Sequence, residues 1–430
     1  MKTQRPYARA TVTPKGEHAL SKGHPWVYEA EVVSLEPTPG AADVPNGSIV
    51  DVVSRKGTYL GSGLLSLKSK IRIRLITRNA NDRFDSAFWK RKVQWAWSYR
   101  KTVMGADASA CRVIFSEADG FPGLVVDRFE DVLVAETLSV GMERLKPVIF
   151  PALLEALAED GIAIRGLYER NDASTRTLEG LSQTTGWFAG GNAGEAGSLD
   201  PLAPGAPGTE AFGPTATQIE ENGVRYEVDF ENGQKTGFFL DQKYNRRAVA
   251  KLARGRRVLD CFTHTGSFAL NAAHGGAEFV NAVDISELAV AQAKKNAQLN
   301  GLDGKMAFTA ANVFDLLPQL EAARDRTYDF IVLDPPAFTK SRKTIDSAAR
   351  GYKEINYRAM KLLPRGGYLA TCSCSHFMDT EHFRRVVSYA AQDAGVQLRQ
   401  IEERQQAPDH PILWGVPETD YLKFFLFQVV

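Results

Sequence analysis

The sequence predicts an α/β protein whose C-terminal half is a Rossmann-like, doubly wound parallel sheet. Three observations carry this. From about residue 256 onward, short apolar runs (RRVLDCF, EFVNAVDI, KMAFTAANVF, YDFIVLDPP, GYLATCSCS) alternate with helical stretches. That is the pattern of strands buried on both faces by crossover helices. The first 80 residues read as β, and residues 110–185 as a small α+β unit. A chain of 430 residues is too long for one core. The expected domains are therefore 1–80, 81–188 and 214–430, with a loop at 189–213.

Taken in order, NGSIVDVVS follows an Asn-Gly turn signal, and KSKIRIRLITR alternates basic and apolar residues. A period of two puts Lys70, Arg72 and Arg74 on one face, opposite Ile71, Ile73 and Leu75. Residues 83–102 predict an amphipathic helix with Phe84, Phe88 and Trp95 in the core. The central unit runs strand, turn, strand, helix, strand. From Ala189 to Gly213 the chain is rich in Gly, Ala and Pro without periodicity, which predicts a flexible loop. The last two runs, VQLRQIEERQ and YLKFFLFQVV, have no helix between them and predict an antiparallel hairpin at one edge of the sheet. No internal repeat is visible.

With 44% hydrophobic and 24% charged residues, the composition is that of an ordinary soluble protein. No apolar run approaches the roughly 18 residues of a membrane span, and the N-terminus lacks the apolar core of a signal peptide. Four cysteines (111, 261, 372, 374) do not make a disulfide framework, so free thiols in a reducing cytoplasm are expected. Net charge is +1, but residues 1–80 hold twelve Lys/Arg against six Asp/Glu. A basic end of this kind suits a nucleic-acid-docking module, and equally an ordinary solvated face.

The run VLDCFTHTGSFALNAA is a strand, a turn and a helix. Ligands of doubly wound sheets sit beyond such strand ends. A pyrophosphate would call for G-x-G-x-x-G here, yet the turn has only Gly266 among Thr263, Thr265 and Ser267. A cofactor without phosphates fits better. Asp284, about 20 positions later, suits the hydroxyls of a ribose, and Asn312, after the third strand, an adenine edge. Asp260, Gly266 and Asp284 in this order describe an S-adenosylmethionine site of class I methyltransferase type. Its expected contacts are Asp260, Phe262, Thr263, Gly266, Ser267, Asp284, Ile285, Ser286, Asn312, Val313 and Asp334. The fourth strand ends in Asp334, Pro335, Pro336, Ala337, Phe338, where two prolines predict a rigid turn. There Asp334 is expected to hold a base edge and Phe338 to stack on a flipped base.

In YLATCSCSHFMD (368–379), a strand would put Cys372, Cys374 and His376 on one face. Three readings compete. A metal site would need a second pair of ligands elsewhere to complete four-coordination, and none is seen, so no metal is expected. Buried cysteines in a core strand are common. A nucleophile would add to carbon 6 of cytosine and activate carbon 5 for methylation.

The chain resembles the RlmI-type ribosomal RNA large-subunit methyltransferases, which form 5-methylcytosine in 23S rRNA with S-adenosylmethionine. KGHPWVYEAEV looks like the opening of their PUA domain, an RNA-binding β-barrel, and EADGFPGLVVDRF like their central α+β domain. ENGQKTGFFLDQKYNRR is similar to the segment that covers the cofactor, which implies contacts from Phe239 and Asp241. DPPAF, SCSHFM and QAPDHPI complete the match. By position the resemblance implies that Cys374 attacks, with Asp334 on the pyrimidine edge. It implies substrate contacts at Pro335, Pro336, Phe338, Cys372 and His376, with Lys70, Arg72 and Arg74 docking RNA. Cys372 and Cys374 are not separated firmly by sequence. Asn312 stands where the family usually has an acidic residue. Pro336 stands where two-cysteine RNA cytosine methyltransferases carry a cysteine, so the base for the carbon 5 proton is unassigned. The partner implied is 23S rRNA, with no membrane, and a homodimer is left open. Competing readings are an amino-methyltransferase without a nucleophile and a non-catalytic RNA-binding factor.

Overall fold

The computed structural model describes residues 5–189, 212–339 and 341–430. Most of the loop expected at 189–213 lies outside the described residues. Two compact units emerge: Met1–Ile219 with Val228–Leu240 and Pro408–Thr419, and Glu220–Glu227 with Asp241–Ala407 and Asp420–Val430. Among the described residues, no helix is long and apolar enough to cross a membrane.

The first unit opens with β1 (Ala8–Val12), α1 (Pro14–Ser21), β2 (Trp26–Tyr28), β3 (Val32–Glu36), β4 (Ile49–Val53), β5 (Tyr59–Leu65) and β6 (Ile71–Thr77). They form one sheet of order β2-β6-β5-β4-β1-β3, with β1 and β4 parallel. The apolar side of β6 behaves as its alternation predicts at Ile73 and Leu75, whereas Ile71 is only partly buried. Ile73 and Leu75 join Val12, Leu20, Val27, Val50 and Val52 in one core. The basic side is not an open row. Arg72 pairs with Glu29, and Arg74 with Glu179 at 2.9 Å, both guanidiniums being largely covered. Of the three expected RNA contacts, Lys70 is the exposed one.

Helix α2 (Ser86–Met104) starts where the Asp85 carboxylate accepts from the Phe88 N–H at 2.9 Å. Its buried stripe runs through Phe88, Trp89, Val93, Ala96, Trp97, Arg100 and Met104. Trp95, expected in the core, is 63% exposed. It falls about 130° from the centre of that stripe at 100° per residue, and Arg91 covers its ring from 5.7 Å. The expected α+β unit follows as β7 (Ala110–Phe115), β8 (Leu124–Phe129), β9 (Val132–Thr137), α3 (Val140–Glu159), β10 (Gly166–Asn171), α4 (Arg176–Glu179) and β11 (Thr184–Trp187). Its sheet order is β11-β10-β9-β8-β7. The motif QAPDHPI divides between the units at Ala407 and Pro408. In the first unit, the buried Asp409 carboxylate accepts from the Arg112 N–H at 2.9 Å and bonds His410 at 2.8 Å.

The hairpin β12 (Ala216–Glu221) and β13 (Val224–Asp229) turns at Asn222-Gly223, both with φ near +55° to +79°, the backbone a two-residue hairpin requires. The second unit then runs α5 (Lys243–Leu252), β14 (Arg257–Cys261), α6 (Ser267–His274), β15 (Phe279–Asp284), α7 (Glu287–Leu299), β16 (Met306–Ala310), α8 (Val313–Ala322), β17 (Phe330–Leu333), α9 (Ile345–Leu362), β18 (Tyr368–Ser373), α10 (Thr380–Ala394), β19 (Leu398–Arg404) and β20 (Lys423–Val429). The sheet order is β16-β15-β14-β17-β18-β20-β19. β14 to β18 pair in parallel, while β20 is antiparallel to both neighbours. The last two strands thus make the antiparallel edge their sequence predicts. All five parallel strands end on one side, and the candidate site lies along that rim.

Candidate active site

The turn after β14 is built from residues in uncommon backbone states. Phe262, His264 and Gly266 have φ of 64°, 51° and 83°. At Gly266 a Cβ would come within 2.9 Å of the Ala293 Cβ on α7, so packing excludes a side chain as firmly as the dihedral does. Two carboxylates hold the turn. Asp260 Oδ2 accepts from Thr263 Oγ1 at 2.5 Å and from the Ala269 N–H at 2.9 Å. Asp284, at the end of β15, accepts from the N–H groups of His264 and Ser286, both at 2.9 Å. Each Asp284 oxygen keeps a lone pair for a further donor.

Among the described residues, Asp260 Oδ1 and Thr265 Oγ1 are buried polar atoms that take part in no hydrogen bond. Burial pushes the Asp260 carboxyl up to about 7, with the nearby Asp334 charge adding to it. Ile285, next to Asp284, is 73% exposed. Of the other expected contacts, Ser286 caps α7, and Phe262 packs towards Phe314 and Phe338 at 6.5 Å between ring centres. Ser267 spends its carbonyl on Asn271. Asn312 is exposed and caps α8 through the Phe314 N–H at 3.1 Å, while the Val313 side chain sits in the core. Phe239 is counted with the first unit.

A second cluster gathers at the end of β17. Asp334 accepts from Gln242 Nε2 at 2.9 Å, and its charge acts on the nearby Cys372 thiol. Burial pushes its carboxyl up to about 7, and the neighbouring Asp241 charge acts in the same sense, against Arg246. Asp241 itself accepts from the Tyr421 hydroxyl at 2.6 Å. Pro335 is buried and Pro336 exposed. Phe338 is half-buried, 4.6 Å from the Tyr352 ring.

The strand expected to carry Cys372, Cys374 and His376 on one face stops at Ser373. The Tyr352 hydroxyl bonds both Ser373 at 3.1 Å and Ser375 at 3.0 Å. The Met378 N–H then closes a turn onto the Ser375 carbonyl. The period of two is broken there, and His376 is exposed against Phe377. The two thiols differ sharply. Cys372 is 0% exposed, and burial pushes its thiol well up, with the Asp334 charge adding to the effect. Cys374 is partly exposed, its Sγ 3.9 Å from the Pro335 carbonyl. Among the described residues, no three His, Cys, Asp or Glu side chains converge as a metal site.

Comparison with known proteins gives the family. Residues 167–427 match the family profile described as S-adenosylmethionine-dependent methyltransferase, and residues 10–78 match a PUA-like domain. A protein of Aliivibrio fischeri named ribosomal RNA large subunit methyltransferase I is 37% identical over 416 residues, covering 96% of this chain and 97% of its own. One of the same name from Shewanella denitrificans is 38% identical over 423 residues, covering 98% and 99%. The chain belongs to that family. Its fold is shared with a candidate S-adenosylmethionine-dependent methyltransferase from Streptococcus mutans (TM-score 0.76, 21% identity, 98% and 99% covered). A candidate methyltransferase complexed with SAH gives a TM-score of 0.77 at the same identity and coverage.

S-adenosylmethionine is the cofactor of this family, and the residues fit it: the orphaned oxygens of Asp260 and Thr265 and the available lone pairs of Asp284 suit a polar ligand. Asp284→Ala is expected to weaken S-adenosylmethionine binding about 10- to 100-fold, the worth of one charged hydrogen-bonding group. Isothermal calorimetry checks this, and unchanged affinity would remove Asp284 from the site. Sequence reasoning missed Gln242, Tyr352, Tyr421 and Lys423, whose Nζ donates to the Ser375 carbonyl at 2.7 Å. Gln242 stood beside Asp241 in the covering segment, but nothing local marks the other three.

Proposed function

We propose that the chain methylates carbon 5 of a cytosine in large-subunit ribosomal RNA, with Cys374 as covalent nucleophile and Asp334 on the pyrimidine edge. One observation carries the reading. Of the two thiols on this strand and its extension, Cys374 has an open side and lies against the Asp-Pro-Pro turn, whereas Cys372 is sealed. A nucleophile must reach its substrate. The name shared by the relatives supports ribosomal RNA as that substrate, and the PUA-like match supports RNA docking.

The chemistry follows from the weakness of carbon 5 as a nucleophile. Adding the Cys374 thiolate to carbon 6 forms an S–C bond and moves ring electrons to carbon 5, splitting one hard step into easier ones. When bound, S-adenosylmethionine supplies a methyl group on a positively charged sulfur. Carbon 5 would take that methyl as its bond to sulfur breaks and the electron pair stays on sulfur; a base would then take the carbon 5 proton, the C–H electrons restoring the ring double bond as the thiolate leaves. Asp334, with its carboxyl near 7, can carry a proton at neutral pH and share it with ring nitrogen 3, drawing density away from carbon 6. The paired prolines leave no N–H to compete there.

The test uses an rRNA fragment, methyl-labelled cofactor and mass spectrometry of the digested nucleosides. 5-Methylcytidine is the expected product. An N-methylated base would favour the amino-methyltransferase reading, and no transfer at all a binding factor. RNA carrying 5-fluorocytidine, which has no carbon 5 proton to lose, is expected to stay attached to the protein under denaturing conditions.

A further inference from the structure

β20 carries Lys423 beneath the segment that holds Cys374. The Lys423 backbone pairs with Ser373, and its Nζ donates to the Ser375 carbonyl at 2.7 Å and the Tyr421 carbonyl at 2.8 Å. It therefore grips the chain on both sides of Cys374. The residue is 3% exposed, and among the described residues the hydrogen-bond partners of its ammonium are those two carbonyls. An ammonium held this way trades its hydration for two neutral carbonyls, with no carboxylate in ion-pair contact among the described residues. Burial pulls it down to about 8, and of the groups able to oppose that, Cys374 acts most strongly, ahead of Asp420 and Asp379. A methionine of similar length would fill the space without this cost, so the charge itself points to a role.

Resting on the reading of Cys374 as nucleophile, we propose that Lys423 is its positioning residue. Its ammonium fixes the carbonyl next to the thiol and stabilises the thiolate that must form before attack. Positive charge beside a thiol favours the ionised form. Among the described residues, several neighbouring groups have partners of their own. Tyr352 from α9 bonds Ser373 and Ser375, and Cys372 from β18 feels the Asp334 charge. Asp379 caps α10 through the His382 N–H, and Asp420 accepts from Gln405 at 3.3 Å. Glu403 and Arg404 of β19 border the same cleft of about 250 Å³ as Lys423. Both are already ion-paired, with Arg384 and Glu402 at 2.7 and 2.8 Å.

The experiment follows alkylation of Cys374 by iodoacetamide against pH in the full chain without RNA, with the site resolved by peptide mass spectrometry. Lys423→Met is expected to raise the midpoint by about one unit and slow alkylation near pH 7 about tenfold. Lys423→Arg is expected to restore most of both. Lys423→Gln, which keeps a donor for the Ser375 carbonyl without the charge, is expected to follow the methionine variant. A midpoint unchanged in the Met or Gln variant overturns the proposal, and so does an Arg variant that behaves like Met. Because no RNA is present, a shifted midpoint alongside a failed 5-fluorocytidine trap would sink the covalent route and leave this electrostatic role standing.

Discussion

Cys374→Ala is expected to abolish methyl transfer, with kcat falling about 10⁴-fold or more, while Cys372→Ala stays within about tenfold of the parent. Removing a nucleophile removes the pathway and not merely one contact, which is why such losses are large. The Cys374 thiol reaches the Asp-Pro-Pro turn from the partly exposed end of its strand. The Cys372 thiol is fully buried, on the strand between β17 and β20, and feels the Asp334 charge. Burial raises its pKa, so little thiolate forms near neutral pH. Its loss should appear in stability, at about 1 kcal/mol for a small buried group, and in the midpoint of Asp334. Trapping on 5-fluorocytidine RNA provides the decisive comparison. The adduct should form with the parent and with Cys372→Ala, and vanish with Cys374→Ala. If Cys372→Ala fails to trap and Cys374→Ala succeeds, the roles are reversed.

The alternation of apolar runs and helices was enough to read the parallel sheet, because strands buried on both faces carry their signature locally. The order Asp260, Gly266, Asp284 was legible for a similar reason. The two aspartates stand at the ends of their own strands and fasten the turn that holds Gly266. What failed was periodicity carried past the end of an element. His376 would share a face with Cys372 only if β18 ran on, but Tyr352, 21 residues before Ser373, bonds the two serines that flank Cys374, and the chain turns just beyond. Arg72 and Arg74 alternate as predicted, yet partners at positions 29 and 179 occupy them. Trp95 was placed on the apolar stripe of an amphipathic helix, but the burial stripe of α2 passes it by. Lys423 was invisible for the plainest reason. A lysine opening the last strand acquires meaning only once that strand inserts beside β18.

Asp334→Asn is expected to lower turnover about 100-fold at pH 6.5, within the usual range for a lost acid–base group, and by less at pH 8.5. The carboxyl is pushed to about 7, first by burial and then by the Asp241 charge. In its acid role the protonated form is the working one, so this limb of the profile falls as pH rises through about 7. Thiolate formation at Cys374 runs the other way. Wild-type kcat/KM should therefore pass through a maximum whose two limbs belong to the coupled site. An asparagine keeps an N–H to offer ring nitrogen 3 at every pH but has no proton to share, so the falling limb near 7 should disappear. It can still accept from Gln242, which preserves the local geometry. The same ionisation acts on folding with a definite sign. A carboxyl whose pKa is higher in the folded state than in the unfolded chain binds more protons when folded, so its contribution to stability is lost as pH rises from about 4 to 7. Asp334→Asn does not incur that loss, and its thermal midpoint relative to wild type should be higher at pH 8 than at pH 5. Asp241→Asn supplies the control. Without the charge that pushes Asp334 up, the falling limb should move to lower pH while the asparagine at 241 still accepts from Tyr421. A falling limb that survives Asp334→Asn unchanged would transfer the acid role to another group, and the buried Asp260, also near 7 and coupled to Asp334, would be the next to vary.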